Sequence, residues 1–468
     1  MTLVGYLYVV LFLCISTYLA ARNPKRALLW AVALLPWFGL DMDIGLRVTA
    51  FQLFILPIVI IYVIRGLPIS LAVGQHVVPL ALFIGYALAV TFVMLPFLPE
   101  VEIAGGVLRT PIARSLVQIL VLLFTVLPLL LGARLLRTQQ SLVDVARIYL
   151  GSSLLLAAIG YLQMGIWYAT GENPLPIAYF DTLVTGKADQ YRSGAFPLED
   201  ITVFRMNSLG GEPKHLGQAL VVAFLILTMG FNVRLKPIAS MFAAKATFLL
   251  VAIFLTQSTS AFMLLVAGLL GIFAFGSGAL KGLRVARVLA IAAAIALAGS
   301  AIVTYWLNLP VAELIAARTS ERFYASEYDY GFLDDFDAAV VSYLSGHWIS
   351  LLFGVGLGNV HLFADSYLAP RVAAFAGGTS FVAKMGLLRI VSETGLIGAV
   401  LFLLFVFRLC VAALQQERNL GFTFLIIAAL AYFLVGHASL FYIVAGAIIG
   451  MISAQQIQVP ATTRFNLA

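Results

Sequence analysis

Gly386-Leu-Leu-Arg-Ile-Val-Ser-Glu-Thr-Gly-Leu-Ile-Gly-Ala-Val-Leu-Phe-Leu-Leu-Phe-Val-Phe407 is a run of 22 residues whose only polar side chains are Arg389, Ser392, Glu393 and Thr394. As a helix it is roughly 30 Å long, the thickness of the hydrocarbon core of a bilayer. It is one of many such runs. Of the 468 residues, 62% are hydrophobic and only 10% are charged, with a mean hydropathy of +1.04. A soluble fold of this length carries about a quarter of its residues charged. The composition therefore excludes a soluble enzyme, a disordered chain and, despite a pI near 9.4, a nucleic-acid binder. The two cysteines, Cys14 and Cys410, both lie in apolar runs and suggest neither a disulfide framework nor a thiolate metal cluster.

Working outward from this run, apolar stretches of bilayer length predict spans near 3–20, 27–40, 48–64, 77–97, 115–133, 146–168, 216–231, 239–256, 260–277, 286–307, 386–407, 420–436 and 438–454. The expected fold is all-α: one polytopic transmembrane helix bundle, residues 1–468, of about 13 spans. The segment 27–40 is short and contains Pro36, and the last two spans are divided at His437. The first run has no basic stretch before it and no small-residue cleavage site after it, so it reads as a retained span. Loops after odd-numbered spans, with the C-terminal tail, hold 16 of the 28 Lys and Arg and only two acids, Asp144 and Glu417. That asymmetry places them in the cytoplasm, with the N-terminus outside and the C-terminus inside. The net charge of +7 is thus a topology signal.

Two outward loops are long, 169–214 and 308–385, and both are rich in aromatic residues. Long loops in compact proteins are commonly functional, so the chemistry is expected at the outer face. In Arg205-Met-Asn-Ser-Leu-Gly-Gly-Glu-Pro-Lys-His-Leu-Gly-Gln218, Pro213 suits a first helical turn. Glu212, Lys214 and His215 flank that N-terminus, which is an anion site in waiting; the plainer reading is a helix end with snorkelling charges. Arg318 and Arg322 stand i, i+4 and would share one helix face, an arrangement suited to a diphosphate. They could equally pair with Glu321, Glu327 or Asp329. The loop Phe353-Gly-Val-Gly-Leu-Gly-Asn-Val-His361 contributes Gly356, Gly358, Asn359 and His361, and can approach a phosphate closely. No strand–helix alternation surrounds it, so a dinucleotide fold is excluded. Arg389 and Glu393, again i, i+4, lie at bilayer depth, where ionisable residues are costly and point to function; the plain alternative is a neutralising pair. Lys384 precedes them. The five histidines show no metal spacing, and Asp41-Met-Asp43 is a DxD of the kind that arises by chance.

Taken in order, four segments resemble the O-antigen polymerase/ligase superfamily of bacterial envelope enzymes. They are Arg205 to Gln218; Leu255-Thr-Gln-Ser-Thr-Ser-Ala261, with Thr259 where the family usually has arginine; Leu352-Phe-Gly-Val-Gly-Leu-Gly-Asn359; and Ser392-Glu-Thr-Gly-Leu-Ile-Gly398. The resemblance covers roughly 200–410. It implies a GT-C-type, metal-independent glycosyltransferase without a cofactor, multi-pass in the bacterial inner membrane, with two large periplasmic loops. Its substrate would be an undecaprenyl-diphosphate-linked oligosaccharide, and a chain-length regulator protein could be a partner. A polymerase extends the glycan on a new lipid-linked repeat unit; a ligase moves it to the lipid A core. The ligase branch carries a His-Asn pair about nine residues before the glutamate, where this chain has Lys384, which favours the polymerase. Fixed cations stabilise a diphosphate leaving group, and Arg205, Arg318, Arg322 and Arg389 are the candidates, with Lys384, Lys214 and His215 as substrate contacts. Glu212 and Glu393 are candidate general bases, followed by His361 and the Asp334, Asp335 and Asp337 group. A transporter or flippase of lipid-linked sugars is the rival class, but no internal repeat is evident and the ionisable groups gather at one face.

Overall fold

A computed structural model describes residues 2–43, 47–65, 76–99, 110–177, 179–185, 195–198, 201–275, 333–376, 378–379, 381–415 and 419–458. The predicted span 286–307, and Arg318 and Arg322, lie outside the described residues. The regular structure of the described residues is helical apart from two short antiparallel hairpins, β1–β2 (Met42–Asp43 and Arg47–Val48) and β3–β4 (Ala195–Leu198 and Ile201–Phe204). The helices are α1 (Leu3–Arg22), α2 (Pro24–Leu34), α3 (Ala50–Ile64), α4 (Val78–Met94), α5 (Pro111–Leu135), α6 (Gln139–Thr170), α7 (Tyr179–Thr185), α8 (Pro213–Asn232), α9 (Lys236–Ala239), α10 (Phe242–Thr256) and α11 (Thr259–Phe275). After the gap come α12 (Asp335–Gly346), α13 (Trp348–Phe353), α14 (Val360–Ala364), α15 (Pro370–Ala376), α16 (Gly386–Gln415), α17 (Asn419–Val435) and α18 (Ala438–Gln458).

Among the described residues, six helices are long and apolar enough to cross a membrane: α1, α4 with its last turn to Phe97, α5, α6, α8 and α16. The apolar helices α3, α10, α11, α17 and α18 are shorter. This is a helical membrane protein. The predicted span 27–40 takes another form: α2 is 11 residues long and ends before Pro36, too short alone to cross roughly 30 Å of hydrocarbon. Proline denies the next turn its hydrogen bond and disfavours helix in the residue before it. The division at His437 is present. Gly436, at φ +78°, stands between α17 and α18.

Helix α8 is the axis of the bundle. Every residue from Leu216 to Gly230 is buried, with α6, α10, α11 and α17 around it. A helix apolar on all sides belongs in such a core. Helix α1 is equally apolar, yet Leu3, Tyr6, Leu7, Val10 and Leu11 are exposed, as expected of a face turned to lipid. Helices α5 and α18 cross closely because Gly132, Gly446 and Gly450 leave room: a Cβ on Gly446 would collide with the Leu129 carbonyl oxygen. Small residues allow such approach between membrane helices. Residues 333–376 form a separate cap whose own small core includes Val340, Tyr343, Leu344, Val355 and Val360.

Candidate functional site

Helix α16 is broken in its N-terminal third. Gly395 has φ +69° and ψ −178°, a combination open in practice only to glycine. The break leaves carbonyls without their helical donors, and the glycine-rich loop after α13 supplies replacements. The Val355 N–H donates to the Ser392 carbonyl at 3.1 Å and the Gly356 N–H to the Glu393 carbonyl at 2.9 Å. The loop approaches this closely because Gly354 takes φ +86° against the α16 backbone. It is tied on its other side too. Thr91 accepts from the Leu357 N–H at 3.0 Å, Ser115 donates to Asn359 at 2.8 Å, and the Arg114 Nε donates to the Gly358 carbonyl at 3.0 Å. Glu393 Oε1 receives the Gly358 N–H at 3.2 Å and the Arg389 Nε at 3.1 Å, while Arg389 Nη2 donates to Gln118 at 3.2 Å. His361 is 3% exposed. Burial first, then the Arg114 charge, press it down to about 4, against the pull of the Gly358 carbonyl, so its ring is neutral at pH 7.

A second pairing joins the stretch 205–218 to 255–261. The Met206 N–H donates to the Leu255 carbonyl at 3.1 Å, and Gln218 donates to Ser260 at 2.9 Å. Arg205 directs Nε to the Thr256 carbonyl at 3.2 Å and Nη2 to the Gln257 carbonyl at 3.3 Å. It therefore satisfies the orphan carbonyls at the C-terminus of α10, where a cation also suits the helix dipole.

The two pairings meet at one end of the bundle. Lys214 and Glu212 form an ion pair of 2.7 Å at the head of α8. Burial would raise the Glu212 carboxyl, but Lys214, His215 and Lys384 outweigh it and hold the group at about 2. The Phe38 ring lies 5.2 Å from the His215 ring and 4.9 Å from the His437 ring. Lys384 precedes α16; its Nζ is 2.6 Å from Asp334 and 4.7 Å from the centre of the Phe336 ring. Its backbone N–H donates to Asp337 at 2.6 Å. The result is a half-open patch holding two lysines, two imidazoles and three carboxylates beside aromatic faces, on which a sugar ring can stack.

Of the sequence-predicted residues, Glu212, Lys214, His215 and Lys384 are thus brought together, and Arg389, Glu393, Gly356, Gly358, Asn359 and His361 gather around the break in α16. Arg205 bonds the carbonyls at the C-terminus of α10. Phe38, His437, Arg114 and Gln118 were not singled out from the sequence. Arg114 carried a signal, being a cation immediately before the predicted span 115–133; Phe38 and His437 carried none, because only folding places them beside His215. Among the described residues, no three His, Cys, Asp or Glu side chains come together as a metal cluster, and Asp43 is paired in a strand with Arg47. Neither a protein-family model nor a curated protein matches the chain.

Proposed function

We propose that this chain is a polymerase of bacterial surface polysaccharide, transferring a growing undecaprenyl-diphosphate-linked glycan onto a new lipid-linked repeat unit at the periplasmic face. One observation carries this reading. The four segments that resemble the superfamily lie far apart between residues 205 and 398, yet they pack as two touching pairs, and the patch around Lys384 and Glu212 adjoins both. The full arrangement of 13 spans, with the N-terminus outside and the C-terminus in the cytoplasm, is part of the proposal. All these segments then open to the outer face.

In the proposed step the bond between the anomeric carbon and the diphosphate oxygen breaks, and a glycosidic bond forms to an acceptor hydroxyl. Negative charge develops on the departing diphosphate. Lys384 and Lys214 stabilise it at an interface of lowered dielectric, helped by Arg389 and, from the outer loop, Arg318 and Arg322. The acceptor proton passes to a carboxylate, with Glu212 and Glu393 the candidates. The polyprenyl tail lies between helices.

The test is deletion of the gene in its host, with surface glycans run on a gel and lipid-linked intermediates analysed alongside. Loss of polymer with single repeat units left on the carrier is the expected result. Long polymer stranded on its lipid carrier identifies a ligase instead. An unchanged ladder removes the enzyme. A transporter of lipid-linked sugars is the second reading, because the break of α16 at Gly395 gives the discontinuous helix on which many carriers build their sites.

A further inference from the structure

We infer that the cap carries a carbohydrate-binding notch, formed where α12 ends and α13 begins, which holds a ring of the glycan away from its reacting end. Three rings build it. The His347 ring stacks on Tyr343, with centres 4.5 Å apart and planes at 25°. The Tyr367 ring meets both edge-on, 5.9 Å from Tyr343 and 6.3 Å from His347. Tyr343 is the foot of the cluster. It is 5% exposed, and its hydroxyl is hydrogen-bonded to Ser350 at 2.7 Å, which ties α12 to α13. His347 is exposed, and its Nδ1 lies 2.9 Å from the Tyr343 carbonyl oxygen. A carbonyl only accepts, so Nδ1 carries the hydrogen and Nε2 is the nitrogen left for a ligand. There is room beside these rings: a Cβ added at Gly346 would meet one heavy atom within 4 Å, the Tyr367 hydroxyl at 4.0 Å. Trp348, next after the imidazole, is 69% exposed.

Residues 341–353 contain no Lys, Arg, Asp or Glu, so this stretch offers no fixed charge to hold an anion or a lipid headgroup. A sugar ring is its chemical complement. One face of such a ring is C–H groups, which lie against an aromatic ring, and its rim is hydroxyls, which donate to an imidazole nitrogen and accept from a phenol. The stacked rings are already set by bonds within the cap, so little order is lost on binding. The notch stands at the C-terminal end of α12, whereas Asp334, the N-terminal cap of that helix, holds Lys384. The length of α12 sets the two roughly 16 Å apart. A glycan that reaches the notch from the Lys384 patch is therefore held several rings back from its reacting end. The inference rests on the proposed function for the identity of the glycan, but its test reads binding by the protein itself and not synthesis.

The full-length protein in nanodiscs is titrated with lipid-free oligosaccharides cut from the host's own surface polysaccharide, and binding is read by saturation-transfer NMR and by tryptophan emission. His347→Ala and Trp348→Ala change exposed side chains, so the melting temperature should hold while each weakens binding by about fivefold to tenfold. Gly346→Leu fills the open space and should abolish binding. Nanodiscs made with brominated phospholipid test the rival occupant, the membrane surface: the part of the emission that is lost in Trp348→Phe should escape quenching by bromine. Quenching of that part lays this face on the bilayer and overturns the inference. So does binding that is indifferent to the variants, or no binding at millimolar oligosaccharide. Binding that depends on His347 and Gly346, together with an unchanged ladder when the gene is deleted, keeps the notch and removes the polymerase. Loss of polymer on deletion without such binding removes the notch and keeps the polymerase.

Discussion

Asp337 is 3% exposed, and its carboxylate receives the backbone N–H groups of Lys384 and Met385, just ahead of α16. The cap is thereby fastened to the end of the helix that carries Arg389 and Glu393. Burial raises this carboxyl from 3.8 to about 6, the Lys384 N–H opposes the rise, and the neighbouring Asp334 charge adds to it. A carboxyl raised on folding binds its proton more tightly in the native state. Stability is then highest below pH 4, falls as pH rises from about 4 to about 6, and is level above that window, by on the order of 3 kcal/mol in all. Asp337→Asn keeps an acceptor for the Lys384 N–H, so thermal melts between pH 4 and 7 should lose this slope while the fold survives. Lys384 is the second residue to test. Lys384→Met removes the charge that Asp334 and Glu212 share and, on the proposed chemistry, should lower polymer made in the host by about tenfold or more; a normal ladder with normal expression would place the reaction elsewhere.

At the scale of elements, the break in α16 organises the site. Alanine at Gly395 would take an unfavourable left-handed backbone and drive its Cβ into the Leu352 carbonyl. Gly395→Ala is expected to cost about 3 kcal/mol and to release the glycine loop. The readout is a lower melting temperature together with faster proteolysis after α13. Gly446→Leu should push α18 off α5 and lower the melting temperature without releasing the glycine loop. These positions also mark how far the sequence could be read. The span 386–407 is plain from its length and apolarity, and the division at His437 from one polar residue between two apolar runs. The break at Gly395 sits inside an apolar run, where a glycine costs a helix only about 1 kcal/mol and so does not announce itself. The conformation is imposed by the loop of Gly354 to Asn359, some 40 positions earlier in the chain. The carbonyl contacts of Arg205 were hidden for a similar reason: the end of α10 comes from a stretch distant in sequence.

For the whole molecule, the charge pattern and the site make one argument about sidedness. On the proposed topology, Phe38, Thr91, Arg114, Glu212, Lys384 and His437 all fall at outer ends of spans. Several meet in space: Phe38 stacks on His215 and packs at a tilt against His437, and Thr91 and Arg114 both bond the glycine loop. Residues that touch lie at one depth, so the proposed topology requires this whole group to share one membrane face, opposite the 16 of 28 Lys and Arg assigned to the cytoplasm. The sidedness can be measured directly. Cys14 and Cys410 are first replaced by alanine, since both are free, and single cysteines are placed at Trp348, 69% exposed on the cap, and at Met241, 75% exposed between α9 and α10. A membrane-impermeant maleimide applied to spheroplasts should label Trp348→Cys at once and Met241→Cys only after lysis. The opposite pattern would invert the protein and put Lys384 and Arg389 in the cytoplasm, where a flippase or carrier would load its substrate. Labelling of both sites in intact spheroplasts would mean an even number of crossings between them, and the span count would have to change.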